Sequence, residues 1–198
     1  MKTLFHARHQ SWHMFFPDQT GEHKKPLLIY SFGSVLKIIF PSDNWQRANT
    51  APVCFGANGT QFGSFYLPSG GGLVAIKLVH LYGYVSCDVR HPQHWSFWGC
   101  GQHATLSQEV NVVITTSDNK IILPPGQFMK YNHQAGKWAR VPGYNSASKE
   151  IVLTPFTEPY AILSGQQLRL WYGEDLQGYT EGDNGGRVCC DVYVQFHT

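Results

Sequence analysis

Apolar and polar residues alternate over short windows along most of the chain. The C-terminal run is the clearest case. Val188, Cys190, Val192, Val194 and Phe196 fall on one parity, and Cys189, Asp191, Tyr193 and Gln195 on the other. Successive side chains of a strand point to opposite faces, so the first set is predicted to face a core. Residues 73–81 (LVAIKLVHL) are apolar on both parities and predict a central strand covered on both sides. Leu36, Ile38 and Phe40 alternate with Val35, Lys37 and Ile39 up to a turn at Pro41-Ser42-Asp43-Asn44. Residues 110–116 and 120–123 flank Ser117-Asp118-Asn119, a hairpin signal. Further short strands are predicted at 61–67, 128–131, 137–141, 150–154, 160–163 and 167–172. No helical period is sustained, because Gly or Pro interrupts most windows long enough to hold a helix. About ten short strands at close spacing predict an all-β fold, an antiparallel β-sandwich of jelly-roll-like type. Residues 1–30 lack periodicity and read as a loosely ordered arm; residues 31–198 read as a single β-sandwich domain.

Composition narrows the class. Charged residues make up only 14% of the 198 positions, below the usual quarter or so, and aromatics another 14%. Few charges, many aromatics and frequent turn residues favour a β-rich extracellular module. A formal net charge of +2 gives nucleic acid no strong electrostatic handle. No segment carries the ~18 apolar residues of a membrane span. Residues 1–16 contain no apolar run of the kind a secretory signal needs.

The five cysteines form no CxxC pair, which argues against a zinc ribbon or a thioredoxin-type site. Two disulfides and one spare thiol fit a secreted domain, whereas five reduced thiols would fit an intracellular one. Four cysteines allow three pairings, and spacing does not choose among them. The favoured set is Cys87 with Cys100, closing a local loop, and Cys54 with Cys190 on the C-terminal strand. Cys189, on the polar parity, is then the odd thiol. Asn58-Gly59-Thr60 is an N-glycosylation sequon, in keeping with secretion.

Candidate chemistry concentrates near the C-terminus. Glu174, Asp175, Glu181, Asp183 and Asp191 are five of the thirteen acidic residues, and only Arg187 lies among them. They occupy a Gly-rich segment between two predicted strands. Pairing those strands as a hairpin would bring Glu174 and Asp175 close to Asp191. Crowded carboxylates repel unless they are well solvated or a cation joins them. An oxygen-rich set of Asp175, Glu181, Asp183, Asn184 and Asp191 suits Ca²⁺, which takes six to eight oxygen ligands. A cation with open positions could hold vicinal sugar hydroxyls. Glu174, beside the cation, would be a sugar-binding residue, as would Trp171 or Tyr179, whose rings could cover the apolar face of a sugar. A solvated hairpin tip accounts for the same residues without any ion.

A second constellation is His91, His94 and His103, interleaved with Trp95 and Trp98. Three histidines can contribute to a metal site, but a disulfide-pinned loop with an aromatic anchor explains the stretch equally well. His6, His9 and His13 would share a face only if the arm were helical, and no caps support a helix there. Catalytic motifs are absent: there is no G-x-S-x-G elbow, P-loop, H-E-x-x-H or G-x-G-x-x-G. Glu174 and Glu181 could form a glycosidase pair, although nothing in the sequence separates their environments.

The runs AIKLVHLY (75–82), TTSDNKIILPP (115–125) and LRLWYGEDL…TEGDNGG…CDVY (168–193) resemble a secreted β-rich module of marine invertebrates, the calcium-dependent galactose-binding lectins of the sea-anemone type. The resemblance spans residues 34–196. It implies a Ca²⁺ that bridges protein oxygens and sugar hydroxyls, with Asp175, Glu181, Asp183, Asn184 and Asp191 as the protein side. The expectation is therefore a non-enzymatic, secreted, galactose-type carbohydrate-binding protein, and homo-oligomerisation is compatible with it. The alternatives are an extracellular matrix module with a structural Ca²⁺, and a glycoside hydrolase using paired carboxylates.

Overall fold

The computed structural model describes residues 29–32, 35–38, 44–130, 133–154 and 158–197. The arm histidines His6, His9 and His13 lie outside them, as does the turn at Pro41-Ser42-Asp43. The chain divides into two compact units, residues 1–43 and 44–198. In the first, β1 (Ile29–Phe32) and β2 (Val35–Ile38) form an antiparallel hairpin with Phe32 opposite Val35.

The second unit is an antiparallel β-sandwich. Its larger sheet is built on β6 (Gly71–Ser86) and β12 (Gly185–Phe196), which pair along nearly their whole length. β3 (Gln46–Arg47) and β4 (Val53–Gly56) pair with the free side of β12. β9 (Glu150–Leu153) and β10 (Tyr160–Ile162) pair with the free side of β6. The stretch read as a central strand is thus central. The second sheet has the order β5 (Gly63–Tyr66), β11 (Gln167–Tyr172), β7 (Val112–Thr116), β8 (Ile121–Leu123). The Ser117-Asp118-Asn119 signal makes the β7–β8 turn, with Asn119 at a φ of 65°.

The core lies between the sheets. Val188, Cys190, Val192 and Val194 of β12 and Ile76, Leu78 and Val85 of β6 meet Leu168, Leu170 and Tyr172 of β11 and Val112 and Ile114 of β7. Alternation along β12 therefore assigned its core face correctly. The segments around 128–131 and 137–141 form no strands among the described residues. Val110↔Ala139 and Met129↔Ala139 are isolated bridges, and Lys137, at φ 58°, belongs to the turn that precedes them.

Two disulfides close the fold. Cys87–Cys100 is the local bridge expected. The other joins Cys54 to Cys189, and Cys190 is the free, buried thiol. The expected Cys54–Cys190 pairing is wrong for a geometric reason. Val53 and Phe55 point into the core, so Cys54 between them points out. On β12 its register partner is Cys189, which also points out, while Cys190 stands opposite Val53.

Candidate functional site

One end of the sandwich gathers the loops that carry chemistry. β4, β6 and β11 end there, and β5, β7 and β12 begin there. The segment between β11 and β12 crosses from the smaller sheet to the larger one; it is not a hairpin. It contains a five-residue helix, α1 (Gly173–Gln177), and a single 3-10 turn at Glu181–Asp183. Asp191 is thereby removed from the site. It lies six residues into β12, on the order of 20 Å along the strand. There it accepts from Arg47 Nη2 at 2.5 Å and Asn49 Nδ2 at 3.0 Å on the outer face.

Glu174 and Asp175 begin α1 and both are buried. Asn111 holds that helix start: its Oδ1 accepts from Glu174 N at 3.0 Å and its backbone O from Gly173 N at 2.6 Å. Asp175 is a clamp. Its two carboxylate oxygens accept from the backbone amides of Thr60 at 2.5 Å and Gln61 at 2.8 Å, tying α1 to the β4–β5 loop. Glu181 grips the same loop, accepting from Gly59 N at 3.3 Å, while its backbone O accepts from Asn58 Nδ2 at 2.9 Å. The half-buried sequon asparagine is thus engaged by the protein's own backbone.

Glu174 Oε1 accepts from Trp138 Nε1 at 2.8 Å and Thr180 Oγ1 at 3.3 Å, and its Oε2 from Asn184 Nδ2 at 2.8 Å. Burial pushes its carboxyl pKa up, and these three donors pull it part of the way back. A carboxylate can be met only by a donor, so the Asn184 nitrogen is fixed toward Glu174 and its Oδ1 faces away. That oxygen is buried and has no hydrogen-bond partner among the described residues. Unpaired buried acceptors are uncommon and mark a strained site or a place for a water, an ion or another ligand.

Asp183 Oδ2 accepts from Arg90 Nη2 at 2.9 Å, and its backbone O accepts from Val89 N at 2.9 Å. This joins the crossing segment to the disulfide-pinned loop of residues 87–100. Arg90 also holds Asp88, whose carboxyl stays well below the usual range because of that hydrogen bond. Burial, then the neighbouring His103 and His91, lower the pKa of His94.

The aromatic candidates separate. Tyr179 is 47% exposed beside α1. Trp171 is only 2% exposed and is not available to a ring. It packs against Phe62 at 4.6 Å between centroids and donates from Nε1 to Thr115 Oγ1 at 3.2 Å, on the outer face of the smaller sheet. Its parity on β11 placed it off the core, but Phe62 covers it. Three groups missed in the sequence matter here: Asn111, Trp138 and the Asn58–Gln61 loop. Only the sequon drew notice to the last. Their partners lie 63, 36 and more than a hundred residues away, so no local pattern could reveal them.

No family model matches the chain, and no curated protein does. A solved structure does. AJLec from the sea anemone Anthopleura japonica superposes with a TM-score of 0.71 at 38% identity, covering 78% of this chain and 98% of that one. The chain belongs to the sea anemone lectin family. Membership in this lectin family makes it a binding protein rather than an enzyme, and the shared fold is the β-sandwich described above. The two disulfides fit the oxidising surroundings of an extracellular protein. Among the described residues, no helix is long and apolar enough to cross a membrane.

Proposed function

We propose that the protein is a secreted lectin that binds galactose-type sugars through a Ca²⁺ held at the loop end of the sandwich. Family membership supports carbohydrate binding. The observation that carries the metal is the buried, unpartnered Oδ1 of Asn184 next to the Glu174 carboxylate. These donors fit a hard cation, which prefers carboxylate and amide oxygens. Asn184 would hold it through Oδ1, and Glu181 and Asp183 of the same segment would have to swing toward it as further oxygen donors, since no three carboxylates of this segment converge among the described residues. Glu174 is the group that positions Asn184, and Tyr179 is the exposed ring nearby. Asp175, bound to two backbone amides, and Asp191, on the sheet face, leave the ligand set. Bound Ca²⁺ would supply open positions for sugar hydroxyls; Glu174, held by Trp138, fixes the Asn184 amide so that its oxygen is the one left to meet the ion.

Calorimetric titration with galactose, with and without a chelator, tests the reading. Sugar binding should vanish on chelation and return with Ca²⁺. Asn184→Ala should weaken Ca²⁺ and sugar together by tenfold or more, as expected for loss of one ligand at about 1.4 kcal/mol per decade. Unchanged galactose affinity in chelator removes the ion from the mechanism. A Ca²⁺-dependent rise in Tm with no sugar binding would leave a structural ion only.

A further inference from the structure

We propose a second, chemically different metal site on the loop of residues 87–100: a nitrogen-seeking divalent cation of the Zn²⁺ class, held by His91 and His94, with Asp88 behind His91 as its positioning carboxylate. This site is independent of the Ca²⁺ reading.

The spacing Asp88-x-x-His91-x-x-His94 becomes a column through two consecutive three-residue turns. His91 N donates to Asp88 O at 3.3 Å, and His94 N donates to His91 O at 3.0 Å, the second at a 3-10 turn over Pro92–His94. In such a turn side chains three residues apart eclipse one another. The imidazoles of His91 and His94 accordingly lie 4.7 Å apart between centroids. One donor atom from each of Asp88, His91 and His94 lies within 4.8 Å of the others.

The surroundings resemble a prepared site. His91 Nδ1 lies 2.8 Å from Asp88 Oδ2, and the carboxylate can only accept, so the ring proton sits on Nδ1 and Nε2 keeps its lone pair. A carboxylate behind an imidazole is the usual partner of a metal-ligating histidine. His94 Nδ1 is buried and has no hydrogen-bond partner among the described residues. Asp88 is itself fixed by Arg90, at 2.8 Å to Oδ1 and 2.9 Å to Oδ2. The backbone is pinned on both sides, by the Cys87–Cys100 disulfide and by Gln102 N donating to Gln93 O at 2.8 Å. His91 is exposed, so the site opens to solvent and its ring can adjust to the tetrahedral geometry of zinc. Two imidazoles select against Ca²⁺, which takes oxygen ligands.

His94 also lies within the same distance of Cys87 and Cys100, so reduced thiols would offer a rival ligand set. The test therefore uses the full oxidised chain. Titration with Zn²⁺ by calorimetry should give one ion per chain, not displaced by excess Ca²⁺. His91→Gln, an exposed change that spares the fold, should weaken Zn²⁺ at least tenfold, and His94→Gln should do the same. The His6→Gln/His9→Gln/His13→Gln variant should bind as the wild type does. Co²⁺ in place of Zn²⁺ should show ligand-field absorption without a thiolate charge-transfer band. Wild-type affinity in both His91→Gln and His94→Gln, loss of binding in the arm variant, or a thiolate band would each overturn the proposal.

Discussion

Asn184 donates from Nδ2 to Glu174 Oε2 at 2.8 Å, and this bond decides where the amide oxygen points. The carboxylate is buried, so its charge is costly, and burial raises its pKa against the pull of Trp138, Asn184 and Thr180. A carboxyl with a raised folded pKa binds its proton more tightly folded than unfolded. Stability is then greatest below the ordinary carboxyl value and falls as pH rises toward the folded value. Glu174→Gln removes this titration. Denaturant unfolding in chelator, measured across pH, should show the wild type losing stability relative to Glu174→Gln as pH climbs above about 4.5. The same variant should bind Ca²⁺ weakly, because the Gln amide drives Asn184 to turn its oxygen inward. A pH-independent gap between the two proteins would contradict the assignment of a buried, titrating carboxyl.

The cysteine arrangement predicts an ordered chemistry. Cys54–Cys189 ties positions 135 residues apart, so Cys54→Ala should cost roughly 2–5 kcal/mol in denaturant unfolding. Cys190 is buried in the core, and burial pushes its thiol pKa far up. It should resist alkylation in the native protein and react only after denaturation. Peptide mapping without reductant should recover Cys54 with Cys189 and Cys87 with Cys100. Native labelling of Cys190, or a Cys54–Cys190 peptide, would refute this pairing.

The Cys54–Cys189 pair separates what is local in a sequence from what is not. Alternation is local, and it correctly placed Val188, Cys190, Val192 and Val194 inward. It also implied that Cys54, flanked by Val53 and Phe55, points outward, so an outward partner was legible. Which strands pair is not local. The segment from Trp171 to Arg187 looked like a hairpin because both flanks are strands, yet β11 and β12 belong to different sheets. That one topological fact separates Asp191 from Glu174 and turns Asp175 into a clamp on Thr60 and Gln61. The Glu174–Asn184 pair survives because both residues belong to the crossing segment itself.

Asp191 should be silent in ligand binding. It pairs on the outer face of β12 with Arg47, which is 46% exposed and keeps the pair open to solvent although Asp191 itself is only 13% exposed. Exposed ion pairs are worth about 0–1 kcal/mol. Asp191→Asn should therefore shift stability by no more than that and leave Ca²⁺ and galactose affinities at wild-type values. Loss of either on titration would mean that the loop end is not the site.

Trp171 and Tyr179 should part company under substitution. Trp171 fills the space between Phe62 and Thr115, and Arg169 lies over the other ring at 4.4 Å. Emptying a buried aromatic site costs about 3–5 kcal/mol. Trp171→Ala should destabilise by that amount, and its folded fraction should bind galactose no more than a few-fold more weakly than the wild type. Tyr179 is half exposed, and its removal should leave the Tm within a degree or two, as is usual for a surface change. If it stacks on the sugar, Tyr179→Ala should weaken galactose tenfold while Ca²⁺ binding holds. Thermal unfolding and calorimetry on both variants check the pair. The reverse pattern, with Trp171→Ala stable but blind to sugar, would place the binding face on the smaller sheet instead of at the loop end.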